Sequence, residues 1–223
     1  MLGVDRFWFN LKPNEEAKGL DRCSDIVAIQ YNEAVLFHYL NPLAKVYTVY
    51  SYFSPVELPV VASNSILYIA GNNEVNLNGI TFFLQHVFPL ILAIRTDVSL
   101  EIGGSICDVI PSSLITSHVH LLGKIDKLES FYALGNISIN PVYQGTGLKI
   151  KTFEGLSYGK AVVAHSHSVE GIYNIDQAPI LSSSDPKRMA EYILLLLDNR
   201  KLCISMHKHA LAYIKEMNTY VLN

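Results

Sequence analysis

Short apolar runs alternate with runs of helical spacing along most of the chain, and several apolar runs end in glycine or a polar loop. Short apolar runs are typical of buried strands, whereas longer runs with a helical period indicate helices. The apolar runs predict strands at residues 66–70, 98–102, 118–122, 137–139, 161–164 and 179–181. Helices are predicted at residues 78–94, 111–116, 128–133, 148–157, 186–197 and 200–217. This alternation predicts an α/β fold with a doubly wound, mainly parallel sheet.

The first 51 residues predict a smaller unit of their own. Its pattern indicates helices at 15–20 and 33–40 and strands at 26–29 and 45–50. Residues 52–63 contain two prolines and have no clear periodicity, which predicts a linker. The main domain is then expected to span residues 64–223.

Residues 137–164 combine a strand, a glycine loop, a helix and a second strand into one βαβ unit. The loop is Gly145-Thr146-Gly147, and Lys149, Lys151 and Glu154 stand in the first turns of the helix that follows. Backbone N–H groups and the dipole at such a helix N-terminus can hold a phosphate. The plainer alternatives are a tight turn for the glycines, solvent-exposed lysines, and a glutamate favoured by the helix dipole alone.

Composition narrows the class of function. Half of the chain is hydrophobic and 17% is charged, as in a folded protein, and a net charge of −3 argues against unspecific binding to nucleic acid. The three cysteines lie far apart and no His/Cys ligand spacing occurs, so neither a disulfide framework nor a metal site is expected. A reduced, cytoplasmic compartment fits best, and the N-terminal residues do not have the pattern of a signal peptide.

The longest apolar run, residues 80–94, raises the question of a membrane span. A transmembrane helix needs roughly 20 apolar residues. This run is shorter and contains Gln85, His86 and Pro89. We therefore interpret it as a buried helix.

The segment NPVYQGTGLKIKTFEGLSYGKAVVA also carries a family resemblance. It resembles the donor-binding segment in the C-terminal, Rossmann-like domain of GT-B glycosyltransferases, in the retaining family 4 group (glycosyl transferases group 1). The similarity extends over residues 65–199 and, more weakly, back to residue 15. The resemblance implies that residues 64–223 form the nucleotide-sugar domain and that residues 1–51 are a remnant of the N-terminal domain. It implies a hexosyltransferase that moves a sugar from a nucleoside-diphosphate donor to an acceptor hydroxyl with retention, in polysaccharide or glycoconjugate synthesis. This chain alone would be incomplete for catalysis.

The resemblance assigns roles around the glycine loop. Glu154 matches the second glutamate of the family's Glu-seven-residues-Glu motif, which grips the nucleotide ribose, and a carboxylate can accept two hydrogen bonds from a diol. The first glutamate of that motif falls on Thr146, so backbone N–H groups of Gly145, Thr146 and Gly147 are expected to act there instead. The family's Arg and Lys after the first strand of this domain are absent from residues 71–78. We therefore assign stabilisation of the leaving diphosphate to Lys151, with Lys149 as the second choice.

Loops after the other strands supply further expected donor contacts. By the resemblance these are Gly71 and Asn76, then Gly123, Lys124 and Ile125 at the base, and Glu170 with Gly171. For Asn76 the stronger reading is a helix cap.

The expected partners are a nucleotide-sugar donor and a saccharide or glycolipid acceptor, with no nucleic acid, no metal and no further cofactor. Association with the inner face of the membrane is left open. Two alternatives remain at this point. One is a nucleotide-binding module without catalysis, and the other is a sugar-nucleotide epimerase of GT-B architecture.

Overall fold

A computed structural model describes residues 12–222, and the chain forms two compact units, residues 1–51 and 52–223. The described part of the first unit contains helices α1 (Pro13–Leu20) and α2 (Tyr31–Leu40) and strands β1 (Asp25–Ala28) and β2 (Lys45–Thr48). The two strands pair in parallel. Ile26 and Ala28 are buried, whereas Val27 between them is exposed, which is the alternation expected along a strand.

The second unit has six strands and six α-helices in its described residues. The strands are β3 (Ser65–Ile69), β4 (Ser99–Gly103), β5 (Val119–Gly123), β6 (Ile137–Asn140), β7 (Ala161–Ala164) and β8 (Ile180–Ser182). The helices are α3 (Glu74–Phe82), α4 (Phe88–Leu92), α5 (Leu128–Tyr132), α6 (Ile150–Ser157), α7 (Pro186–Asp198) and α8 (Arg200–Leu222).

These strands form one parallel sheet in the order β5-β4-β3-β6-β7-β8. The chain winds outward in one direction from β3 to β5, and in the other direction from β6 to β8. The direction of winding therefore switches between β3 and β6, and in such sheets ligands bind at the carboxyl ends of the strands beside the switch. The α/β, doubly wound prediction is confirmed.

Both faces of the central strands are covered, which explains why these strands are largely apolar. On one face Ile66 and Tyr68 pack with side chains of α3, α4 and α7. On the other face Leu67 packs with Phe131 and Tyr132 of α5. Neighbouring residues of one strand thus contribute to two different cores.

The helix predicted at residues 78–94 begins earlier and is not uniform. The Asn73 side chain accepts a hydrogen bond from the Asn76 backbone N–H at 2.9 Å, so α3 starts at Glu74. A π-helical turn, Phe83–Val87, joins α3 to α4 just before Pro89, whose ring cannot follow a regular α-helical turn.

Residues 74–92 together are long and apolar enough to cross a membrane, a property shared by buried core helices. One side of this helix, with Phe83, Val87 and Ile91, is fully buried in the core.

Three segments of the second unit differ from the predictions. The region 111–116 forms only a 3-10 turn, Ser112–Leu114. Helix α6 begins at Ile150 and not at Leu148, because Lys149 has non-helical backbone angles. Residues 52–63 contain no helix or strand, but they are hydrogen-bonded to the rest of the second unit. Val56 N–H donates to Ser157 O at 2.8 Å, and Val61 exchanges two hydrogen bonds with Asn136.

Candidate functional site

The loops after β3, β6 and β7 come together at the carboxyl end of the sheet. The loop after β6 reaches the start of α3, since a Cβ placed on Gly145 would lie 3.5 Å from Val75 Cγ1. A chain of buried polar groups ties the same loop to α6 and to the loop after β7. Thr152 Oγ1 receives a hydrogen bond from Asn140 Nδ2 at 2.9 Å and donates to Ser168 O at 3.0 Å. The Ser168 hydroxyl donates to Val142 O at 2.6 Å.

The glycine loop has the conformation that its sequence requires. Gly145 and Gly147 have φ angles of 96° and 83°, a region that other residues adopt only at a cost. Within the described residues, the N–H groups of Thr146, Gly147 and Leu148 donate to no protein acceptor. The α6 N-terminus that follows has no side-chain cap. The loop therefore presents several unused donors beside the positive end of a helix dipole.

Two lysines occupy this helix start, where the dipole disfavours cations. Lys149 immediately precedes α6 and Lys151 is its second residue. Burial lowers the pKa of both ammonium groups, while Glu170 opposes the shift at Lys149 and Glu154 opposes it at Lys151. Two partly desolvated ammonium groups thus lie beside N–H groups that have no acceptor. This arrangement is favourable only when an anion binds between them.

Glu154 is fixed by a tertiary hydrogen bond. The hydroxyl of Tyr132, a buried side chain on α5, donates to Glu154 Oε1 at 2.8 Å. Burial chiefly, and the nearby Glu154 carboxylate in addition, raise the pKa of Tyr132 well above its usual value, so the phenol stays a donor. The Tyr132 ring stacks on Tyr158 with centroids 4.4 Å apart. The second oxygen of Glu154 has no protein donor among the described residues.

This position does not match the plainer interpretation of Glu154. The helix dipole acts mainly within the first turn, whereas Glu154 is the fifth residue of α6. Tyr132 was not identified from the sequence. Its sequence signal was no more than a tyrosine beside Phe131 in a short predicted helix.

Asn76 is not the helix cap, because Asn73 occupies that position. Asn76 lies inside the first turn of α3, is buried, and donates from Nδ2 to Gly71 O at 2.8 Å. Asn76 and Gly71 are thus brought together, with Asn76 fixing the loop after β3. The cap prediction for Asn76 is wrong by one helical turn.

A cleft of about 500 Å³ opens at the carboxyl ends of β3, β4 and β5. It is lined by Ile69, Gly104, Ser105, Asp108, Lys124 and Ile125. Gly123, Lys124 and Ile125 were expected at a nucleotide base, and the last two line this cleft directly. The Lys124 ammonium is exposed and lies 3.3 Å from Asp126. Asp108 was missed, since a short polar turn after two glycines has no distinctive pattern.

The loop after β7 contributes a histidine, His167, to the same region. His167 Nε2 lies 2.7 Å from Gly145 O, and His167 Nδ1 lies 3.1 Å from Glu170 Oε2. Glu170 is thus brought to the glycine loop through His167, and Gly171 follows it. No spacing within the sequence could pair His167 with Gly145, which is far from it along the chain.

Within residues 12–222 no group of three or more His, Cys, Asp or Glu side chains is placed to hold a metal ion. The arrangement is instead one of N–H donors, two lysines and one oriented carboxylate. Such a set can bind an anionic group and a hydroxyl-bearing group side by side.

Comparison with known proteins identifies what the chain is similar to. Residues 57–199 match the profile of the family described as "Glycosyl transferases group 1". A protein of Klebsiella pneumoniae, described as an uncharacterized 44.6 kDa protein in the cps region, is 25% identical over 155 residues. That match covers 63% of this chain and 39% of the Klebsiella protein, so the chain spans about two fifths of that relative.

Solved structures share the fold at low sequence identity. TarM of S. aureus superimposes with a TM-score of 0.75 at 14% identity, over 93% of this chain and 43% of TarM. HepE of Anabaena in complex with UDP superimposes with a TM-score of 0.74 at 12% identity, over 97% of this chain and 68% of HepE. WaaG, a glycosyltransferase involved in lipopolysaccharide biosynthesis, gives 0.61 at 13% identity, over 85% of this chain and 58% of WaaG. These likenesses confirm the Rossmann-like fold of a GT-B domain.

Proposed function

Because the chain belongs to the glycosyl transferases group 1 family, we propose that residues 52–223 bind the sugar-nucleotide donor of a glycosyltransferase. The observation that carries the proposal is the uncapped start of α6, with its unused N–H donors and two partly buried lysines. A diphosphate is an anion that uses such donors and offsets such charges.

The proposed roles follow from the geometry of each group. The N–H groups of the glycine loop and the Lys151 ammonium bind the diphosphate and stabilise the charge that develops on it as the sugar bond breaks. Lys149 is proposed to contribute to the same diphosphate site, and Gly145 is part of the loop that surrounds it. Glu154, held through one oxygen by Tyr132, accepts the ribose hydroxyls through its free lone pairs.

The base is proposed to enter the cleft lined by Lys124 and Ile125, which is large enough for a planar ring. Thr146 stands where the family motif has its first glutamate, so contact with the transferred sugar is proposed to come from backbone donors. We also propose that the anomeric configuration of the transferred sugar is retained and that the diphosphate is bound without a metal ion.

The setting proposed is synthesis of a polysaccharide or glycoconjugate. Its support is the description of the Klebsiella relative as a protein of the cps region and the lipopolysaccharide role printed for WaaG. The acceptor is then a saccharide or a glycolipid.

Residues 1–51 are proposed to be the end of a larger acceptor-side domain. In the described part of this unit the parallel sheet has only two strands. Val27 and Tyr47 on it are about half exposed or more, at 60% and 49%. Parallel sheets are normally covered on both faces, so further strands and helices are expected to complete this one.

A nucleotide-binding module without catalysis is the second candidate. The observation in its favour is that Thr146 stands where the family motif has its first glutamate. Sugar transfer by this chain mixed with acceptor would exclude the module.

The test is calorimetric titration of UDP, GDP and ADP into the chain and into Glu154→Ala. One nucleotide is expected to bind, and Glu154→Ala is expected to weaken it by about 1–3 kcal/mol, as for a lost charge-assisted hydrogen bond. Glu216→Ala on α8 is the matched control, since Glu216 is exposed and far along the chain from the loop. Equal affinities for Glu154→Ala and Glu216→Ala would remove Glu154 from the site. A folded protein that binds none of the three nucleotides would contradict the proposal.

A further inference from the structure

His167 has a hydrogen-bond acceptor at each of its two ring nitrogens. Nε2 lies 2.7 Å from the Gly145 carbonyl oxygen, and Nδ1 lies 3.1 Å from Glu170 Oε2. A neutral imidazole carries one N–H and can donate to only one of these acceptors, whereas the imidazolium can donate to both. The ring therefore bridges the glycine loop and the loop after β7 fully only when it is protonated.

Three charged or titratable groups face this ring. They are the Glu170 carboxylate, 3.1 Å from Nδ1, the Lys149 ammonium, 3.4 Å from Nε2, and the His165 imidazole. His165 accepts a hydrogen bond at Nδ1 from the His167 backbone N–H at 3.1 Å, so that nitrogen of His165 is unprotonated. Burial first, and then the charge of His167, lower the pKa of His165, which is consistent with that role.

The bridge fixes the direction of one peptide group in the glycine loop. In a trans peptide the carbonyl of one residue and the N–H of the next point in opposite directions. The Gly145 carbonyl points at His167, and Lys149 Nζ also lies 3.5 Å from it. The Thr146 N–H must then point away from His167, and it has no protein acceptor among the described residues. Without these contacts, glycine at 145 would leave the peptide free to rotate.

We propose that His167 is a positioning residue that holds the Gly145–Thr146 peptide so that the Thr146 N–H is presented to the anionic part of a bound sugar nucleotide. The inference rests on the proposed function for the identity of the ligand. In this proposal His167, in the loop after β7, orients the backbone N–H of Thr146. Thr146 is the position at which the family motif has a glutamate.

The test compares His167→Ala, His167→Gln and the control His209→Ala, which changes an exposed histidine of α8. Affinity for whichever of UDP, GDP and ADP binds is measured by calorimetry at about pH 6 and about pH 8, because imidazoles titrate between them. His167→Ala is expected to weaken binding about tenfold. His167→Gln, whose amide can still donate to Gly145, is expected to restore part of this loss. The advantage of the wild type over His167→Gln is expected to be larger at the lower pH, since only the imidazolium bridges both loops.

A second measurement does not depend on nucleotide. The Thr146 amide resonance in a proton–nitrogen correlation spectrum of the free protein is expected to shift in His167→Ala and to stay in place in His209→Ala. An unmoved Thr146 resonance together with unchanged affinity in His167→Ala would overturn the inference. If the wild type binds no nucleotide, the proposed function fails, and the Thr146 resonance alone then decides whether His167 orients the loop.

Discussion

The hydrogen bond between Tyr132 and Glu154 allows a sharp test of how the candidate site is held. Tyr132→Phe removes one oxygen and leaves the buried ring stacked on Tyr158. The change therefore deletes the 2.8 Å bond to Glu154 Oε1 without opening a large cavity. An effect on ligand binding is then expected to come through Glu154.

The expected magnitudes follow from the exposure of the two groups. A hydrogen bond to a charged group contributes about 1.5–3 kcal/mol, and Glu154 is only partly buried, so water can replace part of the loss. We expect the free energy of unfolding to fall by about 1–2 kcal/mol. Without this hydrogen bond, the Glu154 side chain has to be ordered when the nucleotide binds. Ordering it weakens the binding free energy by roughly 0.5–1.5 kcal/mol, which corresponds to about two- to tenfold weaker nucleotide affinity.

Tyr158→Phe is the matched control. It makes the same chemical change on the stacked partner ring, and the Tyr158 hydroxyl has no hydrogen-bond partner within the described part of the chain. We expect its effect on stability to stay within about 0.5 kcal/mol. Stability is measured by urea unfolding followed by far-UV circular dichroism, and affinity is measured by calorimetry.

A double-mutant cycle with Glu154→Gln separates the pair from its surroundings. If Tyr132 acts through Glu154, the two changes are expected to be non-additive by about 1 kcal/mol or more in nucleotide affinity. Equal effects of Tyr132→Phe and Tyr158→Phe, or strictly additive changes in the cycle, would refute the reasoning.

Three further predictions concern charge. Lys151→Met is expected to lower the affinity for the nucleoside diphosphate about tenfold and to leave the affinity for the parent nucleoside unchanged. Calorimetry with both ligands checks this. EDTA is expected to leave nucleotide affinity unchanged, because lysine and backbone N–H groups are proposed to neutralise the diphosphate; loss of binding on chelation would contradict this. Burial lowers the pKa of Lys160 to about 8, below that of an unfolded lysine at about 10.4. The unfolded state therefore binds the proton more tightly, and stability relative to Lys160→Met is expected to rise by about 2–3 kcal/mol between these two pH values, as urea titrations at several pH values would show.

Much of the second unit could be predicted from the sequence because its signals are local. The apolar runs that form β3 to β8 are short, continuous and separated by loops, as buried parallel strands are. The loop at Gly145 and Gly147 could be predicted for a similar reason, since two closely spaced glycines directly before a helix-like run have few other uses. Their positive φ angles agree with that interpretation.

Other features could not be read from local patterns. Residues 52–63 have the pattern of a linker because they lack periodicity. The structure nevertheless shows Val56 hydrogen-bonded to Ser157 and Val61 hydrogen-bonded to Asn136. Asn76 was taken for a cap because an asparagine near a helix start is usually one, and only the backbone shows that Asn73 occupies that position.

By itself the sequence determined the fold class, the order of its elements and the glycine loop, because all of these depend on neighbours along the chain. The tertiary structure alone decided which side chains orient the site. Tyr132 meets Glu154 across two helices, and His167 meets Gly145 across two loops. The first contact exists because α5 and the end of α6 pack in one cluster on the same face of the sheet. The second exists because parallel strands bring their carboxyl ends to one edge of the sheet, so residues distant in the chain become neighbours there.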